Sequence, residues 1–322
     1  MAVDSSWGST HFHRNEIFNT MLKEPFRDDI FAQNWVNFIG DFPDGSNYKI
    51  NSVGELTIDQ MAEGVALPDR RPDSGQFIFN INEFVGTKVG FTDVFFEEDF
   101  MANQILASIP DRMTRGLDEY METAVCKLQR KQTANNSNTI NTGKHRFTAD
   151  GTGAVMTVND LAYVVYTMKK SGVGAGAMIG LVDPAFEFNT NVSSQVLTSF
   201  NPQYEGIITS GIGNGYRFIR NIMGIDIYTT NYLDALTSAE SSLTDYAGNT
   251  TAGAVGYVAN MFFSASDRMN LPFIGAWRRR PRVESWKEYD KGIEYHQMSA
   301  RFGLDLYRPE NFVVCLTSQT LS

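Results

Sequence analysis

The chain has 322 residues, 42% of them hydrophobic and 12% aromatic, with a net charge of −10. This composition supports a sizeable core and excludes general disorder. The acidic balance excludes broad electrostatic binding of nucleic acid or anionic lipid, which needs basic faces. Cys126 and Cys315 lie far apart without a CxxC, so neither a disulfide framework nor a zinc site follows, and both read as buried thiols in a reducing compartment. The N-terminus lacks a signal-peptide pattern, and no apolar run reaches the roughly 18 residues of a spanning helix. A cytoplasmic product is the expectation.

Residues 1–46 mix aromatic and charged side chains without clear periodicity and read as an extended arm, with one helical piece around Asp28–Phe38. Residues 47–93 read as a ribbon. Phe77, Phe79, Ile81, Val85, Val89 and Phe91 share one parity, the period of a strand, over 15 residues. The outgoing half, with Tyr48, Ile50, Leu56 and Ile58, is weaker and breaks near Gly54. Between the halves lie about 18 residues that include Pro68, Asp69, Arg70, Arg71, Pro72 and Asp73, a length that marks functional or disordered loops. A lone two-stranded ribbon is marginal in water, so a second copy of the protein is its expected support.

An acidic patch, Glu97, Glu98 and Asp99, precedes a long helix. Ser108 as cap, Pro110 in the first turn and Asp111 after it place the helix start, and Met113, Leu117, Met121 and Leu128 carry the apolar stripe to about Lys131. That is roughly 35 Å of helix. Thr157 and Asp160 form a capping pair for a second helix, which Lys169 and Lys170 close and Gly172 stops. Ala177–Val182 reads as a short buried strand, and Asp183 with Pro184 opens another helical piece. Residues 200–270 are rich in Gly, Asn, Ser and Thr with short apolar runs, a subdomain of short strands. The tail is strand again: Ile293, Tyr295, Phe302, Leu304 and Leu306, a turn at Arg308–Asn311, then Phe312, Val314 and Leu316. The fold class is α+β.

Catalytic signatures are missing. Gly172, Gly174 and Gly176 match a loose dinucleotide fingerprint, but they follow a helix and precede a strand, the reverse of the required order. Gly211, Gly213 and Gly215 are not followed by the Lys-Ser/Thr of a P-loop. His11 and His13 lack a third ligand, and His145 and His296 stand alone. The adjacent acids Glu97–Glu98 and Asp118–Glu119 point in different directions on a helix and read as solvated faces. The sharpest charge feature is Arg278, Arg279, Arg280 and Arg282 around Pro281, beside Trp277. In an acidic protein these arginines suit bidentate pairing with carboxylates, within the chain or on a neighbour.

The order of elements resembles the Hong Kong 97-type fold of tailed-bacteriophage major capsid proteins. Gly224–Leu233 looks like the late strand of that family's axial domain, Ala300–Val314 like its closing strand pair, and Gly40–Ile58 like entry into its extended loop. In those terms the N-terminal arm is 1–46, the extended loop 47–93 and the spine helix 108–131. The peripheral domain is 94–182 with 271–322, and the axial domain 183–270. The resemblance implies pentamers and hexamers of this chain tiling an icosahedral shell around double-stranded DNA, made in the host cytoplasm, with no enzymatic activity, cofactor or metal. It implies a separate scaffolding protein, because the chain begins directly in the arm, together with a portal protein, and it allows a decoration protein. DNA would be packaged without sequence-specific contacts. Inter-subunit contacts are expected from Arg70, Arg71, Asp73, Glu97, Glu98, Arg278, Arg279, Arg280 and Arg282. Competing readings are an encapsulin-type cellular compartment, which resembles the same fold, and an unrelated soluble enzyme.

Overall fold

The computed structural model describes residues 30, 32–41, 47–53, 58–61, 63, 74–98, 102–132, 139–140, 143–173, 177–192, 218–240, 243–249, 253–265 and 270–319. Strands β1 (Val36–Asp41), β2 (Asn47–Val53), β3 (Ser74–Asn80) and β4 (Glu83–Thr92) come first, then helices α1 (Asp93–Glu98) and α2 (Ala102–Lys127). Short strands β5 (Thr139–Ile140), β6 (Gly143–Lys144) and β7 (Arg146–Thr148) lead to α3 (Val158–Lys170), β8 (Met178–Val182) and α4 (Pro184–Val192). Strands β9 (Phe218–Ile222), β10 (Ile225–Thr229), β11 (Val258–Ser264), β12 (Phe273–Glu288), β13 (Ile293–Leu306) and β14 (Phe312–Thr317) follow.

A six-stranded sheet has the order β7-β14-β11-β8-β10-β9. Its strands β8, β11 and β14 are buried along their whole length, which is why they read as unbroken apolar runs rather than alternations. On one face Leu161, Val164 and Met168 of α3 meet Met178, Val182, Phe262 and Val313. On the other, Ile179, Leu181, Met261, Phe263 and Val314 join the main core. Local chemistry sets the helix ends as expected. The Thr157 hydroxyl accepts from the Asp160 amide, and the Asp160 carboxylate accepts from the Thr157 amide at 2.8 Å, completing a capping box. Gly172 follows the last turn at φ +76, the left-handed region that glycine enters without strain. The Asp183 carboxylate accepts from the Ala185 amide at 2.9 Å and caps α4.

A four-stranded sheet has the order β1-β12-β13-β4, with β12 and β13 forming a long antiparallel hairpin. Helix α2 lies against it. Ile109, Met113, Leu117, Met121 and Val125 are buried at helical spacing and share a core with Met298, Ala300 and Phe302 of β13. A ladder of edge-on rings ties the two sheets together. Trp35 meets Phe263 at 5.4 Å between centroids, Phe263 meets Phe273 at 5.5 Å, and Phe273 meets Phe312 at 5.1 Å. Each such pair adds about 0.5–1.5 kcal/mol beyond the area it buries. The two sheets and α2 therefore share one core.

Several expectations are corrected. Helix α2 begins at Ala102 rather than at Ser108 and passes through Pro110, ending in a 3-10 turn at Leu128–Lys131. The Ser108 hydroxyl is not a cap; it donates back to the Ile105 carbonyl at 2.8 Å. Packing of the apolar stripe on β13 outweighs the hydrogen bond that proline removes. Within the helical piece expected around Asp28–Phe38, Ala32–Trp35 is a 3-10 turn and Val36–Asp41 is a strand parallel to β12. Residues 1–29 lie outside the described residues.

The long returning half of the ribbon divides at Ile81 and Asn82. β3 pairs with β2 in the ribbon, whereas β4 pairs with β13 in the sheet. The longest of the described strands, β12, carries the arginine run and escapes sequence reading because Pro281 and its polar neighbours look like loop. The structure accommodates Pro281 where β1 has ended, since β1 covers β12 only from Phe273 to Trp277, and where the β12–β13 register shifts between Arg279 and Arg282. Boundaries at 182/183 and 270/271 cut through the six-stranded sheet, which takes β7, β8 and β14 from one side of them and β9, β10 and β11 from the other.

Candidate assembly surfaces

The β2–β3 ribbon pairs in continuous register from Asn47↔Asn80 to Val53↔Ser74. Among the described residues its base has a core. Phe79 and Ile81 are buried with Ile274 and Ala276 of β12, while Tyr48, Ile50, Phe77 and Tyr307 flank them. The Phe77 and Tyr307 rings meet edge-on at 5.2 Å. The expectation of a ribbon without any core of its own is thus corrected at the base. On the opposite face of the strand from Phe77 and Phe79, Ile78 is 48% exposed, and past the end of β2 Ile58 is 99% exposed.

The expected contact residues fall into three groups. Arg70, Arg71 and Asp73 lie outside the described residues. Glu97 is exposed near the end of α1, and Glu98 closes that helix, its side chain lying outside the described set. Arg278, Arg279, Arg280 and Arg282 stand on the outer part of β12, where the strand passes from buried to exposed. Arg279 donates to the Ser299 hydroxyl at 2.7 Å, and its guanidinium lies 5.2 Å from the centre of the exposed Phe84 ring. Arg282 pairs with Glu284 at 2.8 Å on the same strand. The structure brings neither of these arginines onto Glu97. The carboxylate met by this strand near α1 is Asp93, which pairs with Lys287 at 2.7 Å.

Sequence reading missed a basic and aromatic strip beside these arginines. The Lys88 ammonium lies 3.6 Å from the centre of the Tyr295 ring and 4.8 Å from that of Trp286. An exposed cation–π contact contributes about 0.5–1 kcal/mol, so the strip is held in place without being locked. The opposite parity of Phe84 and Lys88 to Val85 and Val89 was legible. Their partners on β12 were not, because β12 did not read as a strand.

Elsewhere polar side chains serve packing. The Tyr120 hydroxyl of α2 donates to Glu83 of β4 at 2.7 Å, and this bond to a carboxylate pushes the phenol pKa up to about 12. His145 is buried between the Phe312 carbonyl at 2.9 Å and the Ser171 hydroxyl at 3.0 Å. Cys126 and Cys315 are free, buried thiols whose pKa values burial pushes up. Among the described residues no group of three or more His, Cys, Asp or Glu could hold a metal ion. No described helix is long and apolar enough to cross a membrane.

A long helix laid on a hairpin sheet, a second sheet sharing its core and a ribbon reaching outward define a capsid subunit of the Hong Kong 97 type. A sequence profile of phage capsid proteins matches residues 77–314, and the chain belongs to that family. It is a structural protein of the virion capsid. Among solved structures it is similar to the capsid asymmetric unit of cyanophage Pam1, with 11% identity, 99% of each chain covered and a TM-score of 0.68. It is similar to the capsid of cyanophage P-SCSP1u, with 15% identity, 95% of this chain and 93% of that chain covered and a TM-score of 0.67. A structure from Mycobacterium phage Che8 shares 17% identity over 95% of this chain and 97% of its own, with a TM-score of 0.64. No curated protein sequence matches the chain.

Proposed function

We propose that copies of this chain assemble as pentamers and hexamers into an icosahedral phage head that encloses double-stranded DNA. The observation that carries this reading is the ribbon of a capsid-family subunit, which is anchored on its own chain at the base while Ile78, on the other face, is 48% exposed. In this reading the four-stranded sheet with α2 forms the peripheral unit and the six-stranded sheet the axial unit. Arg70, Arg71, Asp73, Glu97, Glu98 and the arginines of β12 meet neighbouring subunits. An acidic wall of net charge −10 lets DNA pack and leave without being gripped. The subunit does no chemistry and takes no cofactor. It is made and assembled in the host cytoplasm with a separate scaffolding protein and a portal, and a decoration protein can join the finished shell.

Electron microscopy of the protein, expressed alone and with its scaffold, tests this. The expected result is closed particles tens of nanometres across. A monomer that persists at high concentration, with the ribbon protected from protease, would overturn it. Particles that hold a cellular enzyme in place of DNA would favour the encapsulin-type alternative.

A further inference from the structure

Helix α3 packs on the six-stranded sheet through Leu161, Val164 and Met168, and away from that contact it carries part of a row of tyrosine rings. The Tyr163 ring lies 5.9 Å from that of Tyr166 and 5.8 Å from that of Tyr246, inclined to them by 33° and 34°. Tyr166 is 50% exposed. The row is anchored on the core, where the fully buried Phe147 meets the Tyr163 ring edge-on at 5.2 Å. Its hydroxyl end is fixed too, since the Lys144 amide donates to the Tyr163 hydroxyl at 3.0 Å. Tyr246 stands on a turn at 245–249 that is braced from within. There the Asp245 carboxylate accepts from the Asn249 backbone amide at 2.9 Å and from its side chain at 2.8 Å, and the Lys144 ammonium donates to the Asp245 carbonyl at 2.9 Å. The rings are therefore in place before any ligand arrives, which lowers the ordering cost of binding.

Polar groups frame the row. The Tyr246 hydroxyl bonds with the side chains of Asn159 and Asp150, both exposed. Aromatic rings edged by an amide and a carboxylate match the two kinds of surface on a sugar. Its C–H face stacks on an aromatic ring, and its hydroxyls donate to carboxylates and pair with amides. Tyrosine serves both, with an apolar body, a polar tip and few rotatable bonds to order. Three neighbouring rings suit successive units of a chain better than a single monosaccharide. The carboxylates of Asp150 and Asp245 beside Tyr246 disfavour an anionic sugar. We propose that the row of Tyr166, Tyr163 and Tyr246 binds a neutral oligosaccharide, its rings stacking on successive sugar units while Asp150 and Asn159 pair with the hydroxyls. The site lies on α3 and the 245–249 turn, apart from the ribbon and the β12 arginines, and does not depend on the shell reading.

Isothermal titration of the purified full-length chain with cellohexaose, maltohexaose and chitohexaose tests it, with a galacturonic acid hexamer as the anionic comparison. At least one neutral hexamer is expected to bind, and the galacturonate hexamer is expected not to. Tyr166→Ala and Tyr246→Ala each remove a ring that the core does not need, and alanine is the better helix former at position 166. Both variants should keep the wild-type far-UV circular dichroism while their affinity for the sugar falls by about tenfold. Tyr166→Phe keeps the ring and loses only the hydroxyl, so its affinity should stay within about threefold of wild type. Failure of all three neutral hexamers to bind would overturn the proposal. So would equal binding of the galacturonate hexamer, or unchanged affinity in both alanine variants. If the alanine variants lower particle yield while the wild-type chain binds no sugar, the row is a contact between copies and the proposal fails.

Discussion

The base of the ribbon rests on Gly303 of β13, which makes this residue a sensitive point in the fold. A Cβ built on Gly303 lies 2.6 Å from the Asn80 carbonyl oxygen, 2.9 Å from the Ile81 Cα and 3.1 Å from the Phe79 Cζ. The two nearest atoms belong to the backbone, so no change of rotamer relieves the clash. Gly303→Ala must lift the base of the ribbon off β13, loosening the cluster that Phe79 and Ile81 form with Ile274 and Ala276. Overpacking of this kind costs about 1–3 kcal/mol. With roughly 2 cal/mol/K of unfolding entropy per residue, 2 kcal/mol lowers the melting temperature of a 322-residue chain by about 3 °C. Gly116→Ala is the matching control: its Cβ meets nothing within 4 Å, and alanine in a helix gains about 0.5–1 kcal/mol over glycine. Urea unfolding followed by tryptophan fluorescence, with limited proteolysis of the ribbon, measures both. An unchanged midpoint and unchanged proteolysis in Gly303→Ala would refute the packing of the ribbon base described here.

Further outcomes are expected at three other places. Deleting residues 62–75 should leave the melting temperature of the body within about 2 °C while abolishing particles, since the buried ribbon contacts lie at its base; equal loss of solubility and secondary structure would show that the segment packs on its own body. Arg279→Glu should cost the subunit no more than about 1 kcal/mol, as exposed contacts do, yet lower particle yield several-fold; an unchanged yield would remove Arg279 from the contact set. His145 should shape the acid limb of stability. Burial holds its pKa below the ordinary 6.5. The unfolded chain therefore takes up the proton first, so the contribution of His145 is intact above pH 6.5 and declines as the pH falls below it. His145→Gln should flatten the slope there, and an identical slope in the variant would assign the pH dependence to other groups.

Where local chemistry suffices, the sequence by itself determined the structure. Thr157 and Asp160 start α3, Gly172 ends it, Asp183 caps α4, and the run from Met178 to Val182 is a buried strand; each rests on contacts within a few residues. What only the tertiary structure decided depends on distant partners. Arg278–Arg282 form a strand because β13 pairs across them, and Pro281 fits because β1 stops short and the register slips. Ile81 keeps the parity of its neighbours, so nothing local shows that the chain leaves β2 there and joins β13. The cap-like Ser108 is overruled by the packing of α2 on a sheet whose strands lie near both ends of the chain. The tyrosine row was illegible for the same reason: Tyr246 lies far from Tyr163 and Tyr166 in sequence, and only the packing of its turn against α3 brings the rings together.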